Sequence, residues 1–243
     1  MVGSFLNVVI YRLPRNESVI TPRSKCPQCS SMVKWYQNIP IISFLILKGK
    51  CANCDFKIPW RYPLTELTVA LFSLLLMPVD LSPQALFNYA FFFSVACVFL
   101  AHLLIDLEHQ LLPDKLNIYL LLVSIPYVVL HFPLMHWLLG ALIGFFGPYG
   151  VTALFYKLRG VVGLGGGDIK LFGILGFILG PLGIINNIFM SCMIGSIIGV
   201  ILIALKKLDR NAPFAFGPFI ILAATLQIFF PDIVELINPL YIK

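Results

Sequence analysis

From residue 64 onward the chain is a train of apolar runs separated by short polar joints. The runs cover residues 64–79, 85–105, 116–132, 137–158, 169–179, 184–205 and 217–230. Several approach the ~20 residues that a helix needs to cross a bilayer. No strand-like alternation of useful length competes with helix in them. Of the whole chain, 59% is hydrophobic and 12% charged, about half the charged share of a soluble domain. Such a chain has too little polar surface for water, so the membrane is its natural solvent. The expected fold is an all-α, polytopic membrane helix bundle.

The charge is unevenly placed. Nine of the seventeen Lys and Arg lie between Arg12 and Arg61, a stretch with two acids, Glu17 and Asp55. We read this block as lipid-surface attraction and topology, not as nucleic-acid binding. The joints 12–61, 107–115, 157–170 and 206–210 carry Lys or Arg, and the alternate joints near residues 80–84, 131–136 and 180–187 carry none. The positive-inside rule places the basic set in the cytoplasm. Residues 1–13 are apolar but too short to span, and we read them as a first transmembrane helix whose start is missing or shortened. With it the count is about eight spans, and every second joint is basic.

Four of the six cysteines form two pairs, Cys26-Pro-Gln-Cys29 and Cys51-Ala-Asn-Cys54. Two C-x-x-C knuckles at this separation can wrap one tetrahedral zinc through four thiolates. Disulfides are the rival reading, but the charge pattern puts the block in a reducing compartment. A redox pair would need one C-x-x-C and a βαβ context. Four protein ligands leave no open position, so the zinc should organise a loop. Cys97 and Cys192 lie in apolar runs and read as small core residues.

Acids at the edge of membrane spans are costly and are functional suspects. Asp114 follows Pro113 and reads as a helix N-cap. Asp80, Asp209, Asp232 and Glu235 have ordinary loop or chain-end explanations. Asp106 ends an apolar run. Asp168 follows Gly163-Leu164-Gly165-Gly166-Gly167 and opens the next one. Glycines there allow unusual backbone shapes and close approach. Two carboxylates sharing a site can split their pKa values and work as base and acid at once. Asp168 as a plain N-cap is the competing reading, and the residues alone leave the two open. His102, Asp106 and His109 share a helix face and form a further, metal-binding alternative.

At these residues the sequence resembles the bacterial type IV prepilin peptidase family, a group of GxGD-type membrane aspartyl proteases. The segment Gly3-Ser4-Phe5-Leu6-Asn7-Val8-Val9-Ile10-Tyr11-Arg12-Leu13-Pro14 looks like its N-terminal signature. The cysteine pairs, and Arg61-Tyr62-Pro63-Leu64-Thr65-Glu66 after them, match its cytoplasmic loop. Ile105-Asp106-Leu107-Glu108 with Leu111-Leu112-Pro113-Asp114 resembles the first catalytic motif, Gly165-Gly166-Gly167-Asp168 with Lys170 the second, and Phe216-Gly217-Pro218-Phe219 a late motif.

The resemblance implies Asp106 and Asp168 as the catalytic pair and Cys26, Cys29, Cys51 and Cys54 as zinc ligands. It implies prepilin and pseudopilin substrates, cut after a short basic leader at the cytoplasmic face of the bacterial inner membrane. It also implies N-methylation of the new terminus with S-adenosylmethionine, for which the sequence itself offers no donor site. The expected organisation is a partial first transmembrane helix at 1–13, a cytoplasmic zinc-binding loop domain at 14–63 and a membrane peptidase domain at 64–243. Membrane lipid is a partner and nucleic acid is not. A transporter using intramembrane acids and a non-enzymatic zinc-bearing scaffold are the alternative classes.

Overall fold

Every apolar run folds as helix, the structure that satisfies all backbone polar groups within one segment where water is absent. The computed structural model describes residues 1–161, 163–207 and 214–237. Asp209, and with it residues 208–210 of the basic joint 206–210, lies outside the described residues. The helices are α1 (Val2–Arg12), α2 (Ile42–Ile46), α3 (Arg61–Leu76), α4 (Pro83–His109), α5 (Asp114–His131), α6 (Leu134–Arg159), α7 (Gly166–Ala204), α8 (Gly217–Phe229) and α9 (Pro231–Ile237). Short 3₁₀ turns cover Leu13–Arg15 and Trp35–Asn38. Among the described residues there is no strand, only two isolated antiparallel bridges, Lys25–Met32 and Lys50–Lys57. Among the described residues, three helices are long and apolar enough to cross a membrane: α4, α6 and α7.

The chain divides into two compact units, Met1–Cys97 and Val98–Lys243. In the first, α1 lies on α3 through its small and polar residues. A β-carbon at Gly3 would stand 2.8 Å from the Cα of Glu66, so the helices meet backbone to backbone. Asn7 donates from Nδ2 to the Tyr62 carbonyl at 3.1 Å. Buried Arg12 ends α1 and donates to the carbonyls of Ser18 at 2.9 Å and Pro22 at 2.7 Å. The Ile41 N–H donates to Glu66 Oε2 at 2.8 Å, which seats α2 against α3. Much of the N-terminal motif and of the Arg61–Glu66 segment is therefore one packing interface.

In the second unit the runs 169–179 and 184–205 join in one helical element, α7, with no loop between them. The chain reverses at Gly180, whose φ of 74° and ψ of −177° are not helical. A straight helix would separate residues 172 and 184 by about 18 Å. Instead both approach Gly144 of α6. A β-carbon there would overlap the Phe172 carbonyl and stand 3.0 Å from Ile184 Cγ1. The two arms, 166–179 and 181–204, therefore fold back on each other. Gly180 is the residue that permits this: it takes a positive φ, and a β-carbon would run into the His136 ring.

Glycine also sets the α6–α7 crossing, where β-carbons at Gly140 and Gly176 would each overlap the other's backbone. The second arm is tied to α8 by polar groups. Asn187 Nδ2 donates to Gln227 Oε1 at 2.9 Å, and Gln227 Nε2 donates to the Gly183 carbonyl at 2.9 Å. All three residues are buried, where lipid offers no competing partner.

Candidate active site and cysteine cluster

Asp106 and Asp168 lie in the same unit, at helix ends that face one another. Asp106 is on the last turn of α4 and only 4% exposed. Asp168 is the third residue of α7 and half-buried. The two carboxyls are close enough to interact electrostatically. Gly165 holds the N-cap position of α7, so Asp168 is not the N-cap residue. Its carboxylate reaches back toward the Gly165 backbone.

The glycine run works by closeness and not by unusual dihedrals. Gly165 has φ −65°, and Gly166 and Gly167 also lack a positive φ. A β-carbon at Gly165 would stand 3.0 Å from Asp168 Oδ2. One at Gly167 would stand 3.1 Å from the Leu112 β-carbon and 3.3 Å from the Leu112 carbonyl oxygen. One at Gly217, at the start of α8, would stand 2.6 Å from Asp106 Oδ2 and 3.2 Å from Leu112 Cδ2. Leu112, 7% exposed, is thus the point where the first motif, the glycine run and the Phe216–Phe219 motif meet. Neither Leu112 nor Gly217 stood out as a site residue in the sequence. Their position inside the matched motifs was the available signal.

Asp114 departs from its expected role. Pro113 is the N-cap of α5, and no side chain caps that terminus. The Asp114 carboxylate instead accepts from Lys170 Nζ at 2.7 Å and 2.8 Å on its two oxygens. Beside this pair a cavity of about 470 Å³ opens between α5, α6 and the first arm of α7. Asp114, Asn117 and Lys170 line it together with Ile118, Phe145 and Phe177. His102 sits fully buried one turn before Asp106, with the Asn117 side chain beside it. The metal set of His102, Asp106 and His109 does not assemble: among the described residues the metal-ligand cluster found is that of the cysteines.

That cluster is built by two turns. Cys26 N–H donates to the Ser31 carbonyl at 2.9 Å and Cys51 N–H to the Phe56 carbonyl at 2.9 Å, each next to one of the isolated bridges. The four sulfurs all lie within 4.8 Å of one another, and the cysteines are free thiols. Cys26 Sγ is 3.8 Å from Cys54 Sγ, and Cys29 Sγ is 3.9 Å from Cys51 Sγ. Sulfurs about 2.3 Å from a tetrahedral zinc have edges of about 3.8 Å, so the set fits a metal ion of that kind.

The Ser31 hydroxyl and backbone pull the Cys29 thiol down to about 6. The Asn53 and Cys54 backbones lower that of Cys51. Cys54, although the Phe56 backbone favours its thiolate, is pushed up to about 12 by burial and by the other three sulfurs. Four thiolates this close repel, and a divalent cation at their centre removes the conflict.

Comparison with known proteins gives the family. Residues 1–79 match the bacterial peptidase A24 N-terminal domain and residues 91–200 the type IV leader peptidase family. The prepilin leader peptidase/N-methyltransferase of Pseudomonas aeruginosa is 32% identical over 96% of this chain and 88% of its own length. The chain belongs to the type IV leader peptidase family. The Aeromonas salmonicida protein of the same name is likewise 32% identical, over 96% of this chain and 88% of its own length. That of Neisseria gonorrhoeae is 34% identical over 90% and 83%. No solved structure matches the chain. Family membership and the apolar helices together make it a multi-pass membrane protein.

Proposed function

We propose that this chain is a membrane aspartyl endopeptidase that removes the basic leader of type IV prepilins and pseudopilins and methylates the new N-terminus. The observation that carries the reading is the gathering of buried Asp106 and the Asp168 glycine run around Leu112 in a chain related along most of its length to prepilin leader peptidase/N-methyltransferases. Two carboxyls sharing one proton supply a base for the attacking water and an acid for the scissile carbonyl oxygen. The open side of the site is at the glycines: a β-carbon on Gly166 would meet nothing within 4 Å, which leaves room for an extended substrate backbone.

Both aspartates stand at helix ends, whereas a transporter keeps its ionisable groups near the bilayer midplane. A scaffold needs neither carboxylate. The basic joints argue that the site and the cysteine cluster face the cytoplasm of the inner membrane. Cys26, Cys29, Cys51 and Cys54 would hold a structural zinc, which pins the two knuckles together and leaves no coordination position for substrate. Methylation draws on S-adenosylmethionine as methyl donor, and no group of described residues is assigned to hold it.

The test is incubation of the purified protein with a prepilin and S-adenosylmethionine, followed by mass measurement. Loss of the leader and gain of one methyl group are expected. An intact precursor after incubation with folded protein would remove the peptidase reading. Cleavage without the methyl group would remove the second activity alone.

A further inference from the structure

We propose that Asp114 and Lys170 form a positioning clamp that sets the distance between the two catalytic aspartates. The inference rests on the catalytic reading of Asp106 and Asp168. It starts from two polar residues that the peptidase chemistry does not use. Asp114 opens α5, just after the Leu111–Pro113 loop that descends from Asp106. Lys170 lies two residues beyond Asp168 on α7. Nζ of Lys170 contacts both Asp114 oxygens, at 2.7 Å and 2.8 Å, so a single ammonium spans the whole carboxylate.

A second tie joins the same pair of segments. It is the contact of Gly167 with Leu112, which leaves 3.1 Å for a β-carbon. Gly167 and Lys170 bracket Asp168 in sequence, and Leu112 and Asp114 follow Asp106 within eight positions. A glycine contact fixes how near two backbones come but does not stop them from sliding or rotating. A directional pair of charged hydrogen bonds at a second point does. An exposed ion pair contributes little to stability, since water and salt screen it. Both members here are about half exposed, at 50% and 61% of the side chain. Its value lies in geometry, because a displacement of about 1 Å at a reacting centre can cost about a hundredfold in rate.

The experiment uses the full-length protein in nanodiscs with a prepilin, and reads kcat and KM separately. Lys170→Met and Asp114→Lys should each lower kcat by about five- to tenfold with KM changed by less than about twofold. Lys170→Arg, which keeps the charge and reach, should stay within about threefold of wild type. The exchange Asp114→Lys/Lys170→Asp should recover most of what either single change loses. Full activity in both single variants would overturn the clamp. So would a loss expressed in KM, which would make Lys170 a substrate contact, or a folded exchange variant as poor as the singles. If the exchange variant fails to fold, the contrast of Met with Arg at 170 decides alone. Asp106→Asn run alongside separates the two readings: turnover in that variant defeats the aspartyl pair itself, whereas an inactive Asp106→Asn with an unrescued exchange defeats only the clamp.

Discussion

The cysteine cluster and the aspartate site are assembled in opposite ways. The cluster is made by two local turns, each carrying its own pair of ligands and closed by its own backbone hydrogen bonds. Chain folding has only to bring two prebuilt knuckles together, where the four thiols can share one cation. The aspartate site has no local unit. Its members come from the end of α4, the start of α7 and the start of α8, and glycine contacts onto Leu112 set their spacing. A site of the first kind should survive distant changes and fail when a ligand is lost. A site of the second kind should be sensitive to single atoms added at the contact points.

The largest effect expected is on the aspartates. Asp106→Asn, Asp168→Asn and the double variant should each lose prepilin cleavage by about a thousandfold or more. The three losses should be similar, because residues that act as a unit are not additive. The wild-type pH profile should be bell-shaped, with two apparent pKa values that belong to the pair. Substantial turnover by folded Asp168→Asn would mean that its contact with the Gly165 backbone is its whole role. Methyl transfer to an already cleaved pilin should persist in all three variants.

Next in size is Gly217→Ala. Its added methyl would stand 2.6 Å from Asp106 Oδ2, so the carboxyl or α8 must move. Cleavage should fall by about ten- to a hundredfold, while zinc content stays at the wild-type level. Unchanged turnover would show that the site tolerates additions at its contact points, and the contrast drawn above would fail. The reciprocal test is Cys26→Ser/Cys51→Ser. Metal analysis should show about one zinc per wild-type chain and none in the variant. Undiminished zinc there would exclude these four thiols as the ligands.

The smallest expected effect is at the α1–α3 interface. Asn7→Ala removes the donor to the Tyr62 carbonyl, and the midpoint of thermal unfolding should fall by the equivalent of about 1 kcal/mol. A drop several times larger would make α1 an integral support of the cysteine unit.

The two regions were also unequally legible in the sequence. Residue spacing alone identified Cys26, Cys29, Cys51 and Cys54 as a ligand set, because a knuckle is a short-range object. The apolar runs gave the helices, since burial in lipid demands them. The residues alone left Asp168 open between cap and catalysis, and gave Asp114 to a cap it does not make. Both depend on partners more than fifty positions away: Lys170 for Asp114, and Asp106 for Asp168. The glycine run was legible as glycine but not for the right reason. The dihedrals of Gly165, Gly166 and Gly167 are not of the left-handed kind, and what counts is closeness: a β-carbon would crowd Asp168 at Gly165 and Leu112 at Gly167. The ties between Asn187, Gln227 and Gly183 gave no sequence signal, since single polar residues inside apolar runs do not name their partners.

The reversal at Gly180 has a consequence for how the chain enters a bilayer. Thirty-nine residues of unbroken helix would reach about 58 Å, nearly twice the ~30 Å hydrocarbon thickness. Because α7 turns back, its second arm runs toward the end from which α7 began, and α8 starts beside Asp106. Gly180 therefore acts as a parity switch. One residue with no side chain decides whether Gly217 returns beside Asp106 or is carried to the far end of a straight helix.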